Sequence, residues 1–362
     1  MGRGLVASLL TALFLATGAL ASEPGVHCLQ SVLNAAGHDA GPEDGEIGPR
    51  TRAALRRFRA ETPLPVLQSL TQRNAVVFCR LAGEARPELK QVWPARAQRY
   101  DVRFGDDVDA ANRRDIRTGL ALFEALLEEM SFPELPLTVD VHIVGNNADF
   151  RSALKADHGF SDKEAELWSD TSCRGPGDWD GVHTWSGVLI CLGSGSGPAD
   201  RVRRPDVWRV LAHELFHDAE TQLAGKRLRT ELPNGMVSPL GPAWFREGSA
   251  EFVEWAITYG LSDRKRIGRS VGWFSDGYRA GLPPLEELRL FPLEGRLASE
   301  AYDAGALAVY HLTDRGYEGA IADYYKGIGL GLEPSRAFEA AFDIGLVEFM
   351  NHFAEVAPSA SE

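Results

Sequence analysis

"RPDVWRVLAHELFHDAETQLAG" spans residues 204–225, and its reading decides the fold and chemistry of the chain. Leu, Ala, Val and Glu predominate and no proline follows Pro205, so the stretch is predicted to be helical. Asp206 lies near its start and Gly225 just past its end. On a helix, residues i and i+4 lie one above the other on one face. His213 and His217 can therefore address one ion. Glu214 is offset around the axis, close enough to reach a water on that ion but not to be a third ligand. His-Glu-x-x-His is the spacing of two metal-binding imidazoles with a general base beside them. The competing reading is a solvated helix face carrying an incidental histidine pair. A third ligand decides between the two, because catalytic zinc usually holds three protein ligands and one open position.

"GPAWFREGSAEFVEWAITYG", residues 241–260, supplies a candidate. Pro242 suits a helix start and Gly260 a stop. Glu247 and Glu251 are i and i+4 and share a face. Idle acids are mostly exposed, yet these two sit among Trp244, Phe252, Trp255, Gly248 and Ala250. The expected ligand set is therefore His213, His217 and Glu247 around Zn²⁺, with Glu214 as the base. Glu251 is expected to accept a ring N–H from a ligand histidine.

The chain has 362 residues, room for two or three domains, with 44% hydrophobic and 25% charged residues, as in ordinary globular proteins. A net charge of −13 from 38 basic and 51 acidic residues argues against a nucleic-acid partner, whose phosphates need a basic face. "MGRGLVASLLTALFLATGALAS" opens with Arg3, continues through a short apolar run and ends in Ala19-Leu20-Ala21. That is the layout of a cleaved signal peptide, expected over 1–21, and the apolar run falls short of a membrane span. No cysteine directly follows the cleavage site, and no later segment is long and apolar enough to span a bilayer. The expected location is secreted or periplasmic. Four cysteines remain, Cys28, Cys79, Cys173 and Cys191, an even number in an exported chain. Three pairings are open. The local one, Cys28–Cys79 with Cys173–Cys191, keeps each bond inside one expected domain.

Residues 22–82 read as three short helices. Val26, Leu29, Val32 and Leu33 have helical spacing; "HDAGPEDGEIGPRT" is a turn-rich connection; Ala53, Ala54, Leu55 and Phe58 form a second apolar face; a third helix is expected from about Leu67 to Leu81. So small a core needs a staple, which Cys28–Cys79 would provide. Residues 83–96 contain Pro87 and Pro94 and read as a linker. Beyond it "DIRTGLALFEALLEEM" (115–130) reads as an amphipathic helix, "LPLTVDVHIVG" (135–145) and "HTWSGVLICLG" (183–193) as strands, and the chain from 205 on as mainly helical. The fold class is α+β: a small three-helix module, then a domain over 97–362 with a small sheet and a mainly helical C-terminal part. "GSGSG" (193–197) has neither phosphate-loop nor nucleophile-elbow spacing.

Two resemblances bear on function. Leu29-Gln30, the Gly37 turn, "DGEIGPRT" (44–51) and the helix reaching Phe58 resemble a peptidoglycan-binding domain of the three-helix type, with Arg59 where that family usually has glutamine. "HELFH" followed, after the 29 residues 218–246, by Glu247 within "WFREGSAEF" resembles the gluzincin metallopeptidases, the thermolysin-like and aminopeptidase-like group. That resemblance implies a zincin fold, zinc on His213, His217 and Glu247, Glu214 as general base and Glu251 bonded to a ligand histidine. It further implies an oxyanion-stabilising tyrosine in "AYDAGALAVYHLTDRGYEGAIADYYKGIG", best matched by Tyr302, with Tyr310 and His311 close by. "SGVLICLG" resembles the family's edge strand, against which an extended substrate lies. The implied activity is zinc-dependent hydrolysis of peptide bonds in a peptide or protein substrate, or in peptides of the cell wall. The alternative is a non-catalytic envelope protein that keeps the fold and binds peptidoglycan.

Overall fold

The computed structural model describes residues 24–62, 72–85, 99–173, 180–184, 186–193, 204–225, 238–276, 283–290, 296–313 and 318–356. The expected signal peptide lies outside the described residues. So does the expected linker, apart from its first three residues, which belong to a helix.

Three helices open the described chain: α1 (Pro24–Ala35), α2 (Pro49–Glu61) and α3 (Gln72–Ala85). Gln30, buried on α1, locks the turn-rich connection. Its amide nitrogen donates to Asp44 Oδ1 at 2.8 Å and to the Glu46 carbonyl at 3.0 Å, and its oxygen accepts from Gly45 N–H at 2.9 Å. Gly45 has φ +78°, which glycine adopts without strain. The Gln30 bond also pulls the Asp44 carboxyl below its ordinary pKa. Cys28 and Cys79 form a disulfide between α1 and α3, with Cα atoms 6.0 Å apart. The apolar residues of α3 join the same core as those of the following domain, and α3 packs against α4.

That domain is mostly helical around one four-stranded sheet. The strands are β1 (Tyr100–Phe104), β2 (Val139–Val144), β3 (Asp180–Thr184) and β4 (Gly187–Cys191), in the spatial order β1-β2-β4-β3. β1, β2 and β4 are parallel; β3 runs antiparallel to β4. Period-2 alternation divides the sheet between two layers. Val141, Ile143, Val188 and Ile190 join the main core, to which α4 (Ala110–Glu129) and α7 (Arg204–Leu223) also contribute. Val144, Val182, Leu189 and Cys191 belong to a second core with α5 (Asn147–Ala156) and α6 (Asp162–Ser172), closed by the Cys173–Cys191 disulfide. The segment 183–193, expected as one strand, is instead a hairpin arm and its partner. β4, expected at the edge because "SGVLICLG" resembles the edge strand, lies inside the sheet, and β1 and β3 hold the edges. Its parallel pairing to β2 and antiparallel pairing to β3 use both sides of its backbone.

The C-terminal half is helical: α8 (Ala243–Tyr259), α9 (Arg264–Asp276), α10 (Arg296–Thr313), α11 (Gly319–Gly329), α12 (Pro334–Phe342) and α13 (Leu346–Val356). α8 is central; Trp244, Phe245, Phe252 and Val253 are fully buried. Of its N-terminal rings, Trp244 stacks on Phe349 and meets Phe338 edge-on, and Phe245 meets Tyr324 and Phe338 edge-on, from α13, α12 and α11. α8 and α10 cross at two glycines. A Cβ on Gly248 would come within 2.1 Å of the Gly305 carbonyl carbon, and one on Gly305 within 2.1 Å of the Trp244 oxygen. Only glycine permits that approach, and it brings the N-terminal half of α10 against Glu247.

Candidate functional site

The local sequence sets α7. Gly119 on α4 leaves room for Trp208 and Leu211, whose side chains a Cβ there would meet at 2.9 and 3.0 Å. Trp208 Nε1 donates to the Asp115 carbonyl at 2.9 Å. With that face against α4, residues 213, 214 and 217 turn toward α8 and the sheet edge. Gly181 on β3 makes the matching recess: a Cβ there would lie 2.6 Å from Glu214 Cγ.

The structure brings His213, His217 and Glu247 together. The Nε2 atoms of the two histidines are 3.2 Å apart; Glu247 Oε2 is 3.5 Å from His213 Nε2 and 3.3 Å from His217 Nε2. All three side chains are buried, and the set could hold a metal ion. Burial opposes a charge on His217, but the Glu247 and Glu220 carboxylates outweigh it and push its pKa up to about 10. Burial likewise opposes ionisation of Glu247, while the two imidazoles hold its carboxyl well below the usual range. Glu214 lies beside them, and burial raises its pKa.

Tyr302, on α10, also reaches the site. Its ring centroid is 5.5 Å from that of His213. The Glu247 charge, burial and the Glu214 charge raise its phenol pKa well above the ordinary value, so the hydroxyl stays a donor.

Glu251 stands elsewhere in the network than expected. It lies beside His213 in a carboxyl pair with Glu254, and burial and that neighbour raise its pKa well above the usual range. It accepts from Trp255 Nε1 at 3.0 Å, and Arg209 lies 3.7 Å away. The carboxylate that accepts a ligand-histidine N–H is Glu220, 2.9 Å from His217 Nδ1. Glu220 is fully buried and also accepts from Arg246 Nε at 3.2 Å and from the Tyr325 hydroxyl at 2.7 Å. This anchors Nδ1 of His217 and turns its Nε2 toward His213 Nε2 and Glu247. The sequence carried one signal for Glu220, an acid one turn after His217; Arg246 and Tyr325 are remote in sequence and carried none.

Residues 22–66 match the family model of a peptidoglycan binding domain. No curated protein matches the chain. The match covers α1 and α2 and agrees with their helical fold. With the two disulfides, which persist in oxidising compartments, it supports a cell-envelope or extracytoplasmic location and contact with the cell wall. No described helix is long and apolar enough to cross a membrane.

Proposed function

We propose that the chain is an exported, zinc-dependent peptidase of gluzincin type, held at the cell wall by its N-terminal module. One observation carries this reading: two histidine nitrogens and a glutamate oxygen from separate helices converge beside a buried glutamate. Donors about 2.0–2.1 Å from one tetrahedral ion lie roughly 3.3 Å from one another, and these three are 3.2, 3.3 and 3.5 Å apart. Mixed imidazole and carboxylate donors suit zinc. His213, His217 and Glu247 would hold it. When bound, zinc supplies Lewis acidity toward water and the substrate carbonyl.

The chain's own groups do the rest. Glu214, its pKa raised by burial, takes a proton from the attacking water and passes it to the leaving amine nitrogen. Tyr302, kept protonated, donates to the carbonyl oxygen as negative charge develops there. Glu220 holds the His217 ring, with Arg246 and Tyr325 holding Glu220 in turn. β3, an edge strand of the sheet beside α7, would offer backbone groups to an extended peptide. The peptidoglycan binding domain favours peptides of the wall as a second substrate class beside ordinary proteins.

Purified full-length protein tests this. Zinc-loaded protein should cut casein or release peptides from purified sacculi, and Glu214→Gln should keep its zinc and lose turnover. Hydrolysis retained in Glu214→Gln removes Glu214 from the base role. Zinc binding with no hydrolysis of either substrate leaves a wall-binding metalloprotein.

A further inference from the structure

We propose that the cleft one helical turn beyond His217 receives a cationic side chain of the substrate, so that the bond presented to Glu214 adjoins an amine- or guanidinium-bearing residue. The proposal rests on the peptidase reading of the same site and adds a substrate class to it.

The cleft, about 480 Å³, opens where the ends of β2, β3 and β4 meet the last turns of α7. Ligand pockets commonly fall in this range. Among the described residues its walls include apolar Leu137 and Val139 and two carboxylates, Asp140 and Asp218, with no lysine or arginine. Asp218 follows His217 directly on α7, so the cleft and the candidate metal ligands share a helix. His183 joins them: its ring centroid is 6.3 Å from that of His217, and its Nε2 is 3.6 Å from Asp218 Oδ1.

The wall is built rather than loose. Gln222 Nε2 donates to Asp218 Oδ2 at 2.5 Å and to the Leu137 carbonyl at 3.3 Å, and its Oε1 accepts from Leu137 N–H at 3.0 Å. One glutamine thus orients the carboxylate and fixes the apolar lip. An aliphatic lip ending in a carboxylate matches a side chain with an aliphatic stem and a cationic head. Lysine and arginine have that form. So does the amine-bearing diamino acid in peptidoglycan stem peptides, which the N-terminal module would bring within reach.

The test uses zinc-loaded full-length protein and peptides varied at one position beside the scissile bond: lysine, arginine, norleucine or glutamate. The expected kcat/KM ratio of lysine over norleucine is about tenfold or more, the scale of one hydrogen-bonded charge pair. Asp218→Asn should collapse that ratio. Asp140→Asn, at an exposed position that folding tolerates, should lower it. Calorimetry of Nα-acetyl-lysine amide on the Glu214→Gln variant reads binding apart from turnover, and Asp218→Asn should abolish the heat. Equal use of lysine and norleucine, or no binding of the lysine amide, overturns the proposal. If no peptide is cut while the lysine amide binds, the cation cleft stands and the peptidase reading fails. Purified sacculi and casein as parallel substrates separate wall amines from protein side chains as the source.

Discussion

Glu220→Gln keeps the size of the side chain that holds His217 and removes its charge. In the native protein the two Glu220 oxygens take three donors, at 2.9 Å from His217, 3.2 Å from Arg246 and 2.7 Å from Tyr325. Bonds involving charged groups contribute about 1.5–3 kcal/mol each and neutral ones about 1 kcal/mol. The amide keeps one acceptor oxygen, but its NH₂ faces a donor. Arg246, whose side chain is 15% exposed, would keep its charge without this carboxylate, and stripping a buried ion pair of one partner costs about 3–5 kcal/mol. The small exposure of Arg246 puts the expected loss at the low end, about 3 kcal/mol, a large share of the roughly 5–15 kcal/mol that holds a typical domain folded. Tyr325→Phe removes one neutral donor and should cost only about 1 kcal/mol. Urea unfolding in the presence of a chelator measures both without metal linkage. Zinc affinity, by competition with a chromophoric chelator, should fall about 10–100-fold in Glu220→Gln because the ring loses the carboxylate that anchors it. A Glu220→Gln protein with the wild-type unfolding midpoint and wild-type zinc affinity would refute the role given to this carboxylate.

Gly181→Ala should leave zinc content unchanged and lower kcat, because the added methyl would lie 2.6 Å from Glu214 Cγ and displace the base; unchanged kcat would show that the recess does not position Glu214. Cys28→Ser should destabilise the protein by about 4 kcal/mol, the loop-closure value for a separation of 51 residues, and a thermal melt identical to wild type would contradict a stapling role. Buried His158 has its pKa lowered to about 4 by burial, against an unfolded value near 6.5. The unfolded chain therefore binds the proton first, and the stability His158 contributes is complete above pH 6.5 and lost as the pH falls toward 4. The loss is about 3 kcal/mol, so denaturant titrations should show a shallower fall between pH 7 and 4 in His158→Gln, and parallel curves would exclude the histidine as the cause.

How much of this was legible in the sequence differs element by element. α7 and α8 were readable because an unbroken helical pattern ended at Gly225 and Gly260, the latter observed at φ +83° as a helix stop. The His213, His217 and Glu247 set followed from spacing on those helices. The β3–β4 hairpin was misread: Ser186-Gly187 is a turn dipeptide and Gly187 takes φ +135°, but the apolar, β-branched residues that follow it carried the strand pattern across the turn, so two strands read as one. β1 is short and alternates with charged residues, and nothing in "YDVRF" announces a parallel partner 39 positions on at Val139. α6 did carry a start signal, since Ser161 and Glu164 form a capping box, but it opens a short helix with few apolar residues. Glu220 could be placed on the right turn, while its hold on His217 depends on Arg246 and Tyr325, which only tertiary packing brings near. The crossing of α8 and α10 at Gly248 and Gly305 was equally hidden, because a glycine gives no sign of which backbone will approach it.

Zinc stoichiometry of the full-length protein, measured by elemental analysis beside Glu247→Ala and His213→Ala, tests the central claim most directly. One zinc per chain in the wild type and none retained by either variant is the expected result. Equal zinc in Glu247→Ala, or none in the wild type after exposure to zinc, would contradict it.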